Sequence, residues 1–386
     1  MKKPIYLDYN GTTPHDPEVI AAMKPFIEEE FGNPSSTHWY GIKPKKALLQ
    51  ARKQVASLLN CSPEEIVFTS GGTESNNYAI KGVAFANRYR GNHIITSQIE
   101  HPAVLEVCRH LETQGFYITY LPVDEFGLVS PSEVEAVISR DTILITIMHS
   151  NNEVGTIQPI EEIADIAKKH GVIIHTDAAQ SVGKVKIDVQ KHGVDLLSIA
   201  GHKLYAPKGV GALYVKNGIK LEKFMLGASQ EGGRRAGTEN VTQIVGLGKA
   251  CEIAKRDFEH NHQQMKMTRD MLYEGLKSKV QAIKLNGHPQ KRLPNTLNVS
   301  FYGLEANTIL EEIGLEIAAS AGAACHSEET VISHVLEAMK VPMEWVKGTL
   351  RLTTGKMTTE KEIMEAVDII ASAVNHLTEI RKTRKI

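Results

Sequence analysis

The feature that most constrains the fold of this 386-residue chain is a regular alternation of amphipathic helical segments with short β-branched runs between about residues 15 and 215. The runs at 66–69, 143–148 and 172–175 are apolar along most of their length, as expected of strands that are buried on both faces. Helical patterns such as residues 103–114 lie between most of them. This alternation predicts an α/β fold in which a mainly parallel sheet is covered by helices on both faces.

The pattern changes after residue 240, where residues 240–280 predict one long polar-faced helix with a break. Further on, Thr359 and Glu362 have the spacing of a capping box at the start of a last helix. We therefore expect a second, smaller α+β domain. The predicted division is a large domain at 15–262 and a small domain made of residues 1–14 and 263–386.

The composition excludes several classes of protein. Lys and Arg number 44 against 45 Asp and Glu, so no overall charge attracts a nucleic acid or an anionic membrane, and we expect neither as a direct partner. No signal peptide and no apolar run of bilayer length is visible, which predicts a cytoplasmic protein. The cysteines contain no C-x-x-C pair, which argues against a disulfide framework and a metal site. They are Cys61, Cys108, Cys251 and Cys325.

Two chemically capable side chains follow predicted strands. Asp177 ends an apolar run, which places it at the carboxyl edge of a parallel sheet, where open α/β proteins bind ligands. Lys203 follows the next run and precedes a Gly/Pro-rich loop, a setting in which a lysine can form a Schiff base with a carbonyl cofactor. From position alone, a helix-capping Asp177 and a solvated Lys203 are an equally good interpretation.

A third segment, residues 69–77, predicts a strand, a glycine turn at Gly71-Gly72 and the start of a helix. The free amides and the dipole at such a helix start favour a phosphate. The segment matches neither the P-loop nor the dinucleotide-binding pattern, which argues against a NAD-dependent dehydrogenase. A phosphate site, an acid for a ring nitrogen and a Schiff-base lysine together predict pyridoxal phosphate as the cofactor.

The ordered motifs of the chain resemble those of the cysteine desulfurase family, the branch of class-V aminotransferase-like enzymes that also contains the selenocysteine lyases. The resemblance implies a PLP-dependent transferase of fold type I, with a large mainly parallel-sheet domain and a smaller α+β domain. Besides the segments around Asp177 and Lys203, the matching motifs are residues 6–14, Gly32-Asn33-Pro34-Ser35-Ser36, Gly72-Thr73-Glu74-Ser75-Asn76, Glu100-His101, Asn151-Asn152-Glu153-Val154-Gly155, Arg235-Ala236-Gly237-Thr238-Glu239-Asn240 and Ala323-Ala324-Cys325.

The resemblance also implies how the cofactor is held. Lys203 would carry it as a Schiff base and move protons, Asp177 would pair with its ring nitrogen, and His101 would stack on the ring as a catalytic residue. The other residues implied in cofactor binding are Asn152 and Gln180 at the ring and its phenolic oxygen, and Gly72, Thr73, His202 and, from a second subunit, Thr238 at the phosphate. Ala200 replaces a serine common in the family, so one hydrogen bond to the phosphate is expected to be missing.

On the substrate side, the resemblance implies that Asn33, Asn152 and Arg351 bind the amino acid, with Arg351 and Asn33 on its carboxylate. Cys325 lies in a run of small residues that predicts a flexible loop, and His326 beside it could help its thiol to lose a proton. Cys325 would therefore be the catalytic thiol. The other three cysteines are expected to be buried and inert.

The implied activity is that of a homodimeric enzyme that converts L-cysteine to L-alanine and leaves a persulfide on Cys325. A protein acceptor such as an iron–sulfur scaffold, or a tRNA-thiolation pathway, would then take the sulfur. A selenocysteine lyase acting on L-selenocysteine is the alternative that Ala200 and the Cys325 loop favour. A catalytically silent sulfur carrier or PLP-binding regulator is a further alternative, against which the joint presence of Lys203, Asp177 and Cys325 argues.

Overall fold

The computed structural model describes residues 3–321 and 332–383. Its strands are β1 Ile5–Tyr6, β2 Ile66–Thr69, β3 His93–Ser97, β4 Tyr117–Leu121, β5 Thr142–Thr146, β6 Ile173–Asp177, β7 Leu196–Ala200, β8 Gly211–Val215, β9 Ile283–Leu285, β10 Thr296–Phe301, β11 Ile317–Ala318, β12 Ser320–Ala321 and β13 Thr349–Thr353. Its α-helices are α1 Pro17–Glu28, α2 Trp39–Leu59, α3 Gly72–Ala86, α4 Pro102–Thr113, α5 Pro131–Val137, α6 Ile160–His170, α7 Val189–His192, α8 Val241–Arg256, α9 Phe258–Lys279, α10 Ala306–Ile313, α11 His334–Ala338, α12 Met343–Val346 and α13 Glu360–Thr383.

The main sheet has seven strands in the order β2-β8-β7-β6-β5-β3-β4. The pairs from β4 through β3, β5 and β6 to β7 are parallel, and β8 runs antiparallel to both β7 and β2. The predicted α/β fold with a mainly parallel sheet is thereby confirmed.

Both faces of this sheet are buried, each in its own apolar core. Successive side chains of a strand point to opposite faces and therefore enter different cores. Leu144 of β5 packs with α3 and α4 in one apolar core, whereas its neighbour Ile145 packs with α2, α6 and α8 in another. The same split separates Leu196 from Leu197 on β7. These continuous apolar runs are the pattern that the sequence displayed.

A second region surrounds the four-stranded sheet β12-β13-β10-β9. Its core combines apolar side chains of α9, α10 and α13 with Ile5 and Leu7 from the N-terminal segment. The predicted helix over 240–280 is two helices, α8 and α9, which are interrupted at Asp257. The domain boundaries proposed from the sequence stay a prediction.

Helix starts follow local chemistry. The predicted capping box exists, since the Thr359 amide donates to Glu362 Oε2 at 2.8 Å and the Glu362 amide donates to Thr359 Oγ1 at 3.2 Å. No helix within residues 3–321 and 332–383 is both long enough and apolar enough to cross a membrane.

The N-terminal segment that follows β1 joins the two regions. Asp8 forms a bridge with Thr353 of β13, and the Thr13 amide donates to the His202 carbonyl oxygen at 3.0 Å. Residues 8–13 therefore lie between the small sheet and the carboxyl edge of the main sheet. This arrangement places an edge of both regions around one cleft.

Candidate active site

A cleft of about 340 Å³ lies at the carboxyl ends of β2, β5, β6 and β7. It contains most of the residues to which the resemblance gave a role. Those that line it are Gly72, Thr73, His101, Asn152, Asp177, Gln180, His202, Lys203 and Arg351. The position agrees with the rule that open α/β sheets bind ligands outside the carboxyl ends of their strands.

Asp177 is the last residue of β6 and is 7% exposed. Its Oδ2 accepts a hydrogen bond of 2.6 Å from the Asn76 side-chain amide, and its Oδ1 accepts one of 2.9 Å from the Ala179 amide. The contact to Ala179 agrees with the alternative in which Asp177 only caps a helix. However, the carboxylate is buried at the floor of a cleft, which a helix cap does not require.

Lys203 ends a 3₁₀ turn, Gly201–Lys203, directly after β7. Its Nζ donates to the main-chain oxygens of Asn10 and Gly11, at 2.6 Å for Gly11. Burial, reinforced by the positive charge of Arg351, lowers the pKa of Lys203 to about 8. A lysine with this pKa has a substantial fraction of neutral, nucleophilic amine near neutral pH.

The start of α3 lines the cleft beside Asp177. The helix begins at Gly72, within the predicted glycine turn, and no side chain caps its first amides. A Cβ atom at Gly72 would lie 3.3 Å from the Ala200 Cβ, so glycine keeps this corner open. Burial lowers the pKa of His202 to about 4, so this neighbouring imidazole is neutral at physiological pH.

His101 caps α4, where its Nδ1 accepts a hydrogen bond of 3.1 Å from the Ala103 amide. Burial lowers the pKa of the imidazole, although Asp177 opposes the change. The ring is therefore neutral, with the proton on Nε2, because Nδ1 acts as an acceptor. A neutral planar ring on the cleft wall has the shape and charge needed to pack on an aromatic ligand.

Arg351 of β13 brings the small sheet to the cleft. Its guanidinium donates to Asp8 Oδ1 at 2.8 Å and to the Asn152 carbonyl oxygen at 3.3 Å. Its Nε is buried and has no hydrogen-bond partner among the described residues. The guanidinium is thus held in place at the cleft wall, and the second N–H of its Nη1, which has no partner among the described residues, is left for a ligand.

Two of the described residues with an implied role do not line the cleft. Asn33 and Thr238 are exposed and do not line it, and Asn33 Oδ1 accepts instead from the Ser35 amide at 2.9 Å. Cys325 lies outside the described residues. Within the part of the chain that is described, no group of three or more His, Cys, Asp or Glu side chains could hold a metal ion.

The sequence interpretation missed Asn10, which is 1% exposed and connects the two regions. Its side-chain amide donates to Thr296 Oγ1 at 2.8 Å, and its Oδ1 accepts from Lys184 at 3.1 Å. Its main-chain oxygen accepts from Gln180 at 3.0 Å as well as from Lys203. Asn10 lies in a motif that the sequence displayed, but only the three-dimensional contacts reveal its role.

The residues present fit pyridoxal phosphate. The uncapped start of α3 suits a phosphate, the Asp177 carboxylate suits a protonated ring nitrogen, and the Lys203 amine suits a Schiff base. Asn76 Oδ1 is buried beside Asp177 and has no hydrogen-bond partner among the described residues, so the polar floor of the cleft is incomplete without a ligand.

Comparisons with known proteins agree with this cofactor. The family model described as "Aminotransferase class-V" matches residues 5–365. The chain is 48% identical to the cysteine desulfurase IscS of Dictyoglomus turgidum, over 98% of this chain and 97% of that protein. The solved structure of a NifS-like protein superposes with a TM-score of 0.91 at 38% identity, covering 97% of this chain and 100% of that one.

A second solved structure, described as SspA in complex with cysteine, has a TM-score of 0.81 at 39% identity and covers 92% of this chain and 99% of that one. The matches extend over both regions of the molecule, and their sequence identities are far above the level needed to assign a family. The chain belongs to the class-V aminotransferases and, within them, to the PLP-dependent cysteine desulfurases.

Proposed function

We propose that this protein removes sulfur from L-cysteine, yielding L-alanine and a persulfide on Cys325. The observation that carries the proposal is the convergence of Asp177, Lys203 and Arg351 on one cleft beside the uncapped start of α3. When bound, pyridoxal phosphate supplies an electron sink for bond cleavage in an amino acid. The chain itself supplies binding, orientation and proton transfer.

On the cofactor side, Asp177 keeps a ring nitrogen protonated by ion pairing, and Asn76 holds the carboxylate in position at 2.6 Å. Lys203 would hold the cofactor aldehyde as a Schiff base, and its amine would accept or donate the α-proton of the substrate. Gly72, Thr73 and His202 bind the phosphate. His101 packs on the ring, and Gln180 donates to its phenolic oxygen.

On the substrate side, Arg351 binds the carboxylate through the second N–H of its Nη1, with Asn152 and Asn33 as further contacts. The cysteine C–S bond breaks and its sulfur bonds to the Cys325 sulfur. The overall balance is L-cysteine plus a thiol giving L-alanine plus a persulfide. Cys325 then passes the sulfur to an acceptor protein, such as an iron–sulfur scaffold.

The other three cysteines are poor candidates for the sulfur acceptor. Burial raises the pKa of Cys61 to about 12 and raises the pKa values of Cys108 and Cys251 further above the ordinary range. These thiols remain protonated at physiological pH, and a thiol must ionise to attack sulfur. Cys325 is therefore the thiol that we assign to the reaction.

A homodimer follows from the same proposal. Ile27, Phe31 and Trp39 are 68%, 78% and 66% exposed, which is unusual for large apolar side chains and typical of an interface. Asn33 lies between them along the chain, and Thr238 is exposed as well. A second copy on this surface would cover the apolar side chains and would bring Thr238 to the partner's phosphate site.

The test is side-by-side steady-state kinetics on L-cysteine and L-selenocysteine, with alanine and the released sulfur or selenium quantified. We expect turnover of cysteine by the wild type and none by Cys325→Ala, which should still bind cofactor and substrate. Peptide mass mapping should place the persulfide on Cys325. A persulfide on Cys61, Cys108 or Cys251, with Cys325→Ala fully active on cysteine, would overturn the proposal.

The same measurements address the alternatives from the sequence. The relatives that the chain matches are named cysteine desulfurases, so selenocysteine lyase is not favoured. A strong preference for selenocysteine, with selenide released from Cys325→Ala, would revive it. A silent carrier or regulator would turn over neither amino acid.

A further inference from the structure

Lys184 is a buried lysine that the roles assigned so far do not explain. It is 3% exposed, and its hydrogen-bond partners among the described residues include no carboxylate. Burial, together with the charges of Lys203 and Arg351, lowers its pKa well below the ordinary value. A buried amine without an acidic partner is destabilising, so its retention next to the cleft calls for a reason.

The Lys184 amine contacts two side-chain amides and donates to the oxygen of each. It lies 2.9 Å from Gln180 Oε1 and 3.1 Å from Asn10 Oδ1. Beside it lies an internal cavity of about 20 Å³ that Lys203 and Lys356 also line, enough for one water molecule. The amine therefore has a partner for two of its donors and room for a water at the third.

These contacts fix which way the Gln180 amide faces. Its Nε2 donates to the Asn10 main-chain oxygen at 3.0 Å, and a carbonyl oxygen can only accept. Lys184 donates to the opposite end of the same amide, so both ends of Gln180 are held. The amide nitrogen carries a second hydrogen that these bonds leave free, and Gln180 lines the cofactor cleft.

We propose that Lys184 is a positioning residue that locks the Gln180 amide so that its free N–H serves the phenolic oxygen of the cofactor. This inference rests on the role of Gln180 given under the proposed function. A donor at the oxygen end of an amide also polarises the amide and strengthens its N–H. Lys184 thus favours the ionised form of that phenolic oxygen without touching it.

The primary test is the pH titration of the absorbance of the bound cofactor in the Lys184→Met holoenzyme. A hydrogen bond to an ionised oxygen lowers the pKa of its acid, so weakening it should raise the titration midpoint by about 0.5 to 1 pH unit. This variant keeps all the titratable side chains that line the cleft, which are Asp177, Lys203, His101, His202 and Arg351. An unshifted midpoint overturns the proposal.

A double-mutant cycle separates positioning from direct electrostatics. If Lys184 acts through Gln180, the Lys184→Met change should shift nothing further in a Gln180→Met background. If the shift in that background is as large as in the wild type, Lys184 acts by its charge and the proposal fails. Apoprotein affinity gives a second readout: Lys184→Met should weaken binding of pyridoxal phosphate more than binding of its 3-deoxy analogue, which lacks the phenolic oxygen.

Lys356→Met is the matched control. Lys356 lines the same internal cavity, but its amine bonds to Asp16 rather than to Gln180. This variant should lose thermal stability without a shift of the absorbance midpoint. An equal midpoint shift in Lys356→Met would overturn the specific role of Lys184.

If Lys184→Met does not fold, the same measurements are made on Lys184→Leu, which likewise has no side-chain donor for Gln180. A shift in the same direction, again absent in the Gln180→Met background, supports the proposal, and no shift contradicts it. The wild-type experiments stay independent of this result. A wild type that binds no pyridoxal phosphate refutes the proposed function, whereas a cysteine-active wild type with an unshifted Lys184→Met refutes only the inference.

Discussion

The two halves of the cleft are built in different ways. On the cofactor half, Asp177 and Gln180 are held by hydrogen bonds within one chain, and Lys203 is held by main-chain oxygens. On the substrate half, Arg351 has an Nη1 hydrogen without a partner among the described residues, and Asn33 is exposed and does not line the cleft. The difference indicates that one chain preorganises most of the cofactor site, to which a second subunit would add Thr238. The substrate site needs further parts, for which Cys325 and a second subunit are our candidates.

The strongest test of the cofactor half is Lys203→Ala. Without its amine, neither the covalent link to the cofactor nor proton transfer at the substrate α-carbon can proceed, so turnover should fall by about 10,000-fold or more. Pyridoxal phosphate should still bind through the start of α3, but borohydride should no longer fix it to the protein. Wild-type turnover in this variant would remove Lys203 from the site.

Asp177→Asn should reduce turnover by about 100- to 1,000-fold, because an amide cannot stabilise a positively charged ring nitrogen as a carboxylate does. If Asp177 were only a helix cap, the variant would instead lose about 1 kcal/mol of stability or less and keep its activity. Turnover number and thermal midpoint, measured on the same preparation, distinguish the two roles.

A substitution on the substrate half should act mainly on the KM for cysteine rather than on kcat. Arg351→Gln removes a charged donor for the substrate carboxylate, which we expect to raise the KM for cysteine about 10- to 100-fold, with a smaller effect on kcat. The absorbance of the bound cofactor without substrate should change little. A fall in cofactor affinity as large as the rise in KM would mean that the two halves are not separable.

The smallest expected effect links the halves. Lys203 has a pKa of about 8, and its neutral amine is the form that attacks the cofactor aldehyde, so the rate of cofactor uptake by the apoprotein should rise with pH through about pH 8. Arg351 contributes to this lowered pKa, so Arg351→Gln should move the midpoint to higher pH. A wild-type midpoint near that of free lysine would contradict both statements.

The sequence predicted the parts of this molecule that depend on local pattern. The apolar runs before Asp177 and Lys203 placed both side chains at one sheet edge, because parallel strands end together there. The resemblance was needed for His101 and Arg351, whose types and positions are common at protein surfaces. Neither source identified Lys184, since lysines are almost always exposed and no local pattern marks a buried one.

Asn76 and Asn10 show the same limit. Asn76 belongs to one of the family-like motifs, Gly72-Thr73-Glu74-Ser75-Asn76, but its bond to Asp177 joins residues 101 positions apart in the chain. Asn10 contacts the large region through Gln180 and the small region through Thr296, so its role depends on how two sheets meet. Contacts of this kind have no periodicity from which they could be read.

The position of Asn10 has a consequence for when the cofactor site can form during synthesis of the chain. Its amide donates to Thr353 Oγ1, 343 residues further along the chain, and this bond helps to hold the carbonyl group that receives Lys203. On the ribosome, residues 8–13 emerge long before β13 and cannot reach their final place until β13 has been synthesised. Contacts this distant in sequence are slow to form, because the entropy of closing a long loop opposes them. The nascent chain should therefore complete its cofactor site only after β13 has left the ribosome, so that loading of the cofactor follows synthesis of β13.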